Sequence, residues 1–213
     1  MFYPDNIHLS TSYLPPVQYI SKFLLYDTVS IEKHENYQKQ SYRNRCYIYG
    51  ANGKQCLIIP IKKNHGEKTR IDEVEIEYKS KWQKIHLKSI ESAYRLSAFY
   101  EYYIDELIPV FKQEIPRLFD WNMNLLKKIL ELLEIKAEPE KTLKWEEEVQ
   151  HDYRQCINPK KRLEIHDEHF NPQPYQQVFL ERYGFIPNLS IIDLLFNEGP
   201  EARTILLKSI VQG

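Results

Sequence analysis

The chain has 213 residues, of which 42% are hydrophobic and 28% charged, which is enough for a core and an ordinary polar surface. Its 29 Lys and Arg against 30 Asp and Glu give a formal net charge of -1, which argues against a dedicated nucleic-acid-binding protein. The three cysteines lack metal-type spacing, and no apolar run approaches the roughly 18 residues of a membrane-spanning helix. The N-terminus shows no signal peptide, so we expect a cytoplasmic protein.

The first eighty residues predict a strand-rich part of the chain. Ile7–Leu9 predicts a first strand, the apolar spacing within Val17–Tyr26 predicts a helix, and Thr28–Ile31 predicts the next strand. This order of strand, loop, helix and strand is a common scaffold for ligand sites at strand ends.

Further strand signals follow. Cys46–Tyr49 and Gln55–Ile59 flank a turn whose Asn52-Gly53 pair favours a tight reversal between antiparallel strands. The continuous apolar run Leu57–Ile61 is typical of a central strand. Residues 74–78 alternate between apolar side chains and glutamate, which predicts a strand with one solvent-exposed face.

From Trp82 onwards the apolar spacing becomes helical. One helix is predicted from Trp82 towards Tyr103 and a clearer one over Leu118–Ile135. Near the end, Ser190 stands three residues before Asp193 and an apolar run, a variant of the capping box that begins a helix. Gly199-Pro200 then ends that helix and allows another to begin.

We therefore predict a mixed α/β fold, with the sheet first and the helices after it. We expect a single domain whose parts are strand-rich (1–80), helical (81–137), a linker or covering loop (138–175) and C-terminal helices (176–213). Within the third part, residues 138–148 suit a linker or a solvent-exposed helix. Residues 158–174 are rich in proline and predict a loop laid over the fold.

The densest group of polar side chains is Gln38–Arg45. If this segment enters the strand at Cys46, Arg43 and Arg45 share one face about 7 Å apart. Two guanidinium groups so placed can hold a carboxylate or a diphosphate by bidentate hydrogen bonds. Two lysines at the end of the neighbouring strand add positive charge: Lys62 and Lys63.

Each polar candidate has a structural alternative. The arginines could pair with nearby glutamates such as Glu32 and Glu35 on a solvated face. His8 on the first strand and His86 on the first long helix suit a general base, but equally a core histidine bonded to a backbone carbonyl. His166–His169 offers two imidazoles to a metal, yet no third ligand is evident, so we predict no metal site.

Several short motifs occur in order along most of the chain: His8, Tyr13-Leu14-Pro15, Tyr19 with Lys22, Ser41–Arg45, Asn52-Gly53 with Pro60–Lys62, Trp82 with His86 and Tyr94, and Pro187–Pro200. This series resembles the WbqC-like protein family. One motif departs from the family pattern. Many members carry Gln-Pro directly after the opening histidine, whereas Leu9-Ser10 follows here. If that glutamine contacts substrate in the relatives, the chemistry of this chain differs.

The resemblance implies a bacterial protein of surface-polysaccharide biosynthesis, because members occur in O-antigen and related gene clusters. It implies an acyl or aminoacyl transferase, glycine being the group suggested for one member, that acts on a nucleotide-linked or lipid-linked sugar. The expected partner is therefore an anionic small molecule or a nucleotide-sugar. The alternative is a non-catalytic protein that binds an anionic metabolite or a protein partner. Cofactors and oligomeric state are unknown at this stage.

The transferase hypothesis gives roles to ten residues. His8 or His86 would deprotonate the attacking sugar amine or hydroxyl, and Asn44 or Asn188 would polarise the acyl carbonyl. Arg43, Arg45 and Lys62 would hold phosphates or a carboxylate. The full set of candidates is, for catalysis, His8, His86 and Asn44, and for substrate binding, Arg43, Arg45, Lys62, Tyr13, Tyr94, Asn188 and Asn197.

Overall fold

The chain opens with the predicted strand, helix and strand. A computed structural model describes residues 3–62, 69–160 and 165–211. In it β1 (Tyr3–Ser10) and β2 (Tyr26–Glu32) pair in parallel, and α1 (Val17–Leu25) connects them. Every residue of α1 is buried. The prediction for this opening is confirmed.

The predicted hairpin also forms. β3 (Arg45–Gly50) and β4 (Gly53–Ile58) are antiparallel, and Gly53 takes a φ of +91°, a conformation that costs glycine little. The hairpin is a separate two-stranded sheet, so the prediction of a central strand over Leu57–Ile61 is wrong. A two-stranded sheet buries one face only, and Ile58 is accordingly 46% exposed.

Residues 74–78 show the predicted alternation in burial without forming a strand. Val74 and Ile76 are buried, whereas Glu75 and Glu77 are partly exposed. Glu75 and Ile76 make only isolated bridges, each to a single residue on a different segment. A strand ladder needs consecutive pairs along one partner, so the strand prediction is wrong here although the pattern of burial is right.

Three helices follow: α2 (Trp82–Tyr94), α3 (Tyr100–Phe111) and α4 (Leu118–Leu132). The helix predicted to run from Trp82 towards Tyr103 is thus interrupted. Ser97 bonds the Tyr94 carbonyl through both its amide (2.8 Å) and its hydroxyl (2.6 Å), which closes α2 in a tight turn. The prediction of α4 is confirmed.

Two short strands complete the main sheet. β5 (Glu140–Lys141) pairs with β2, and β6 (His151–Asp152) pairs with β1. The order is β5-β2-β1-β6, with every pair parallel. Of the two alternatives for residues 138–148, the exposed helix is wrong, because the segment contains β5 and otherwise no helix or strand. The linker stays a prediction. The mixed α/β fold class is confirmed.

The main sheet has one polar and one apolar face. The register pairs His8 with Ser30 and Asp152, and Ser10 with Glu32, and side chains in register point to the same side. We call this side the polar face, formed by Asn6, His8, Ser10, Ser30, Glu32 and Asp152. Ile7, Leu9, Val29 and Ile31 point to the opposite side and belong to the hydrophobic core.

The end of the chain forms α5 (Leu180–Tyr183), α6 (Ile191–Glu198) and α7 (Ala202–Lys208). The start and end of α6 are as predicted, but the capping box is wrong. The Ser190 hydroxyl has no partner among the described residues, because backbone carbonyls accept from the first amides of α6. The buried Asp193 accepts instead from Tyr94 Oη (2.8 Å), Tyr175 Oη (2.7 Å) and Gln177 Nε2 (2.8 Å).

A buried ion pair anchors the covering loop. Its described parts, residues 158–160 and 165–174, contain no helix or strand, and residues 161–164 lie outside the described chain. Asp167 lies 2.6 Å from the Lys22 amine and accepts from Gln18 Nε2 at 2.8 Å. Burial lowers the pKa of Lys22, against the opposing effect of Asp167. Among the described helices, none is both long and apolar enough to cross a membrane.

Candidate functional site

A buried carboxylate lies at the end of the polar face. Glu32, at the end of β2, has no exposed surface. It accepts hydrogen bonds from Thr142 Oγ1 (2.8 Å) and from the His34 amide (2.7 Å). Arg154 Nη1, just beyond β6, donates to it at 3.3 Å. A buried charge needs such partners, so Glu32 ties the ends of three strands together.

Arg154 connects the sheet to the segment that covers it. Its guanidinium donates to both carboxylate oxygens of Asp152, at 2.9 and 2.7 Å. It also donates to the Glu146 carbonyl at 2.8 Å, and it lies 4.1 Å from the centre of the Trp145 ring. Each of its three nitrogens is thus engaged by protein, and the segment between β5 and β6 is held over the polar face.

A second buried ion pair, between Arg43 and Glu35, lies next to Ser10 at the end of β1. Arg43 donates through Nε (2.9 Å) and Nη2 to the Glu35 carboxylate, and both side chains are 3% exposed. Arg43 Nη2 also donates to Ser10 Oγ at 2.7 Å. Burial raises the pKa of Glu35, while Arg43 opposes that shift. Arg43 is therefore committed to an internal partner.

His8 lies on the polar face beside a cavity. Its Nε2 is 3.2 Å from Asn6 Nδ2, and Asn6 Oδ1 accepts from Ser30 Oγ at 3.1 Å. With the amide in this orientation, Nε2 is the acceptor and carries the lone pair. His8 Nδ1 is buried and has no partner among the described residues.

The environment of His8 favours the neutral imidazole. Burial lowers its pKa, and the charge of Arg154 lowers it further, whereas Glu32, Glu146 and Asp152 act in the opposite direction. At neutral pH the ring can therefore accept a proton, which is what a general base must do.

The cavity beside His8 has a volume of about 460 Å³, within the range of small-molecule sites. Its lining residues come from β1, β2, β5 and the segment that follows β5. The lining residues are Asn6, His8, Ser30, Glu140, Lys141, Thr142, Leu143, Lys144 and Glu146.

His86 and Tyr13 lie in the core, away from this cavity. Tyr13 Oη is 2.7 Å from His86 Nδ1, and the backbone of Ile58 bonds the same ring. Tyr13 packs against Trp82 and Trp121, and His86 packs against Trp82. Burial lowers the pKa of His86 to about 4. This is the core-histidine alternative that the sequence left open.

Four other polar candidates bond to backbone groups or to side chains that are not candidates. Asn44 Nδ2 donates to the Ile59 carbonyl at 2.9 Å, and Asn197 Nδ2 to the Asp193 carbonyl at 2.7 Å. Asn188 accepts from the Gln18 amide (2.9 Å) and donates to the Gln18 side chain (3.0 Å), so it caps α1. Tyr94, described above, is bonded to Asp193.

The expected arginine face does not form. β3 begins at Arg45, so the alternation of a strand does not extend back to Arg43. Lys62 is exposed, bonds Glu75 at 2.8 Å and lines a different cavity of about 600 Å³. Lys63 lies outside the described residues. We expected one pocket to contain six candidates, and the described cavities contradict this. The cavity beside His8 contains none of the other five, which are Arg43, Asn44, Arg45, Lys62 and His86.

Sequence reasoning missed Asn6, Ser30 and Asp152 of the polar face, and also Thr142 and Arg154 beside it. It named Glu32 only as a partner for the arginines. A signal for part of it was present. Polar residues occupy every second position in both β1 and β2, as Asn6-x-His8-x-Ser10 and Thr28-x-Ser30-x-Glu32. Parallel strands buried on both faces usually lack such alternation, so the pattern indicates a face with its own polar chemistry.

Comparison with known proteins gives the family. The model of the WbqC-like protein family matches residues 11–167 and 159–205. The chain belongs to the WbqC-like protein family. This WbqC-like chain is also 25% identical, over 220 residues and 91% of each protein, to a Mycobacterium tuberculosis protein named "Uncharacterized protein Rv1507c". No solved structure matches it. Because the family match begins at residue 11, the case for His8 and Asn6 depends on the structure.

Proposed function

We propose that this WbqC-like protein is a transferase that moves an acyl or aminoacyl group onto a hydroxyl or amine of a sugar, with His8 as the general base. One observation carries the proposal. His8 is a neutral, largely buried imidazole that lines a cavity of about 460 Å³, and its Nε2 is bonded to Asn6, which lines the same cavity. A base so placed can act on a ligand rather than on the protein.

His8 is a better base than His86. Both nitrogens of His86 are satisfied inside the core, and its pKa of about 4 makes it a weak proton acceptor. His8 has one long bond to Asn6, which is exposed and can be displaced by a substrate hydroxyl.

The proposed transfer needs one base and one acyl donor. His8 Nε2 takes the proton of the sugar hydroxyl or amine while the lone pair of that sugar oxygen or nitrogen attacks the acyl carbonyl. A bond forms from that oxygen or nitrogen to the acyl carbon. The bond from the acyl carbon to the donor breaks, and the imidazolium returns its proton to the leaving group. Asn6 Nδ2 has two hydrogens, and it stabilises the oxygen of the tetrahedral intermediate when the substrate displaces it from His8.

The cavity side chains support a sugar as the acceptor. Ser30 and Thr142 hydroxyls, the Asn6 amide and the His8 ring match the hydroxyl groups of a sugar. The resemblance to the WbqC-like family implies surface-polysaccharide biosynthesis, and we propose that pathway class for this chain.

A transfer assay with a matched histidine control tests the proposal. Wild type is incubated with acyl-CoA or glycyl donors and a panel of nucleotide-sugars and alkyl glycosides, and products are detected by mass spectrometry. His8→Gln should lower the transfer rate roughly 100-fold or more, as expected for loss of a general base. His151→Gln should leave it unchanged, because His151 pairs with Ile7 in register and points to the opposite side of the sheet.

The outcome also separates the enzyme from a non-catalytic binding protein. If wild type binds a sugar but transfers no group from any donor, and His8→Gln binds as tightly, the transferase proposal fails. A binding role would then be the better account of the same cavity.

A further inference from the structure

The hydrogen bond between Asn6 and His8 suits only the neutral ring. Asn6 Nδ2 lies 3.2 Å from His8 Nε2 and donates to the lone pair of that nitrogen. A proton on Nε2 would leave two donors facing each other. His8 Nδ1 has no partner in the part of the chain that the structure describes, so the ring cannot compensate there. Proton uptake must therefore either break this bond or change the side chain of Asn6.

The amide of Asn6 can turn to suit the charged ring. A half turn about the last side-chain bond exchanges Oδ1 and Nδ2, so that the oxygen accepts from the protonated Nε2 of His8. Asn6 is exposed and lines the cavity of about 460 Å³, which leaves space for the motion. The turn also strengthens the bond, because a hydrogen bond from a charged group is roughly twice as strong as a neutral one.

Ser30, at the other end of Asn6, suits both orientations of the amide. Its Oγ donates to Asn6 Oδ1 at 3.1 Å. After the turn this hydroxyl faces Nδ2 instead, and a hydroxyl can accept as well as donate. Asn44 is the opposite case. Its Nδ2 donates to the backbone carbonyl of Ile59 at 2.9 Å, and a carbonyl cannot donate, so the orientation of that amide is fixed.

The surroundings of His8 make an acceptor valuable to the charged ring. Burial and the charge of Arg154 both disfavour the positive form. The charges of Glu32, Glu146 and Asp152 favour it, but a buried cation also needs a hydrogen-bond partner. The remaining charged groups on this side line the cavity: Glu140, Lys141 and Lys144.

We propose that Ser30, Asn6 and His8 form a hydrogen-bonded series that reverses its direction when His8 gains a proton, and that this reversal allows the buried ring to hold the proton. Ser30 and Asn6 are then positioning residues for His8. The inference goes beyond the proposed function, because it describes the protein without substrate and does not depend on the transfer reaction.

Neutron crystal structures of the wild type test the inference, because neutrons distinguish nitrogen from oxygen and show deuterium atoms. Crystals are measured at pH about 8 and about 4.5, on either side of the usual histidine pKa of about 6.5. At the higher pH we expect Asn6 Nδ2 towards a bare His8 Nε2, and the Ser30 deuteron on the side of Oδ1. At the lower pH we expect a deuteron on both ring nitrogens, Oδ1 towards Nε2, and the Ser30 deuteron turned away from Nδ2.

Asn44 is the matched control in the same maps, because its carbonyl partner does not change with pH. It should keep one orientation. The inference is overturned if Asn6 keeps one orientation while the ring of His8 gains a deuteron, if the ring stays neutral at the lower pH, or if Asn44 turns as well.

The transfer assay with His8→Gln keeps this inference apart from the proposed function. If Asn6 turns but transfer survives in His8→Gln, the general-base proposal fails and the reversible series stands. If transfer depends on His8 while Asn6 keeps one orientation, the inference of a reversible series fails by itself.

Discussion

Replacing Arg43 by Met separates an internal role for this arginine from the ligand-clamp role that the sequence suggests. The substitution leaves the Glu35 carboxylate buried, with only Ser10 as a side-chain partner in the described contacts. Breaking a buried ion pair in this way typically costs about 3–5 kcal/mol, because the remaining charge loses its compensation. We therefore expect Arg43→Met to lower the free energy of unfolding by that amount, whether or not a ligand is present.

A double-mutant cycle gives the magnitude of the pairing. Glu35→Gln should also be strongly destabilising, since Arg43 then keeps its charge without a carboxylate. The double variant should cost less than the sum of the two single variants, by roughly 1–3 kcal/mol, because it buries neither charge. Urea unfolding of the four proteins at neutral pH measures each free energy. Lys62→Met is the control. Its pair with Glu75 is solvent-exposed, so it should change stability by less than about 1 kcal/mol.

The pH dependence offers a check on the cause. In Arg43→Met the Glu35 carboxyl should take up a proton in the folded state well above its usual pKa. Folded chains then hold more protons than unfolded ones, so the variant loses stability as the pH rises towards neutrality. Its deficit should be smaller near pH 5 than near pH 7. Additive single effects, or a cost for Arg43→Met as small as that of Lys62→Met, would refute the reasoning.

Two further predictions concern the histidines. His86 has a pKa of about 4 when folded and about 6.5 when unfolded, so the unfolded chain gains the proton first as the pH falls. The difference in free energy of unfolding between wild type and His86→Phe should therefore fall by up to about 3 kcal/mol as the pH is lowered from 6.5 to 4. Urea unfolding measures this difference at each pH, and a constant difference would contradict the prediction. Arg154→Met should raise the pKa of His8 by removing a nearby positive charge, whereas Arg154→Lys should raise it less. An NMR titration of the His8 ring measures both, and an unchanged pKa in the Met variant would count against the electrostatic role of Arg154.

The sequence predicts the parts of the fold whose signals are local. The helical spacing in α1 and α4 and the Asn-Gly turn before β4 each specify an element without help from distant residues. The break after α2 was missed because Ser97 ends the helix by bonding to Tyr94, which apolar spacing does not reveal. β5 and β6 could not be predicted, because strands of two residues exist only through their partners β2 and β1.

The sequence predicted one residue of the candidate site. His8 was identified from its strand, but its cavity is completed by Thr142 and Leu143, far away in the sequence. Arg43 and Arg154 are each bonded to a buried carboxylate, Glu35 and Glu32, and neither lines the cavity beside His8. Sequence shows which residues carry charge, whereas only the fold shows which of those charges already have a partner.

The placement of β6 also has a consequence for how the chain folds. The bond from Ser10 to the Arg154 carbonyl joins residues 144 positions apart. Contacts of such long range are slow to form, and during synthesis they must wait for most of the chain. β1 gains its second neighbouring strand only when β6 pairs with it, so the polar face is complete only after Arg154 has been synthesised.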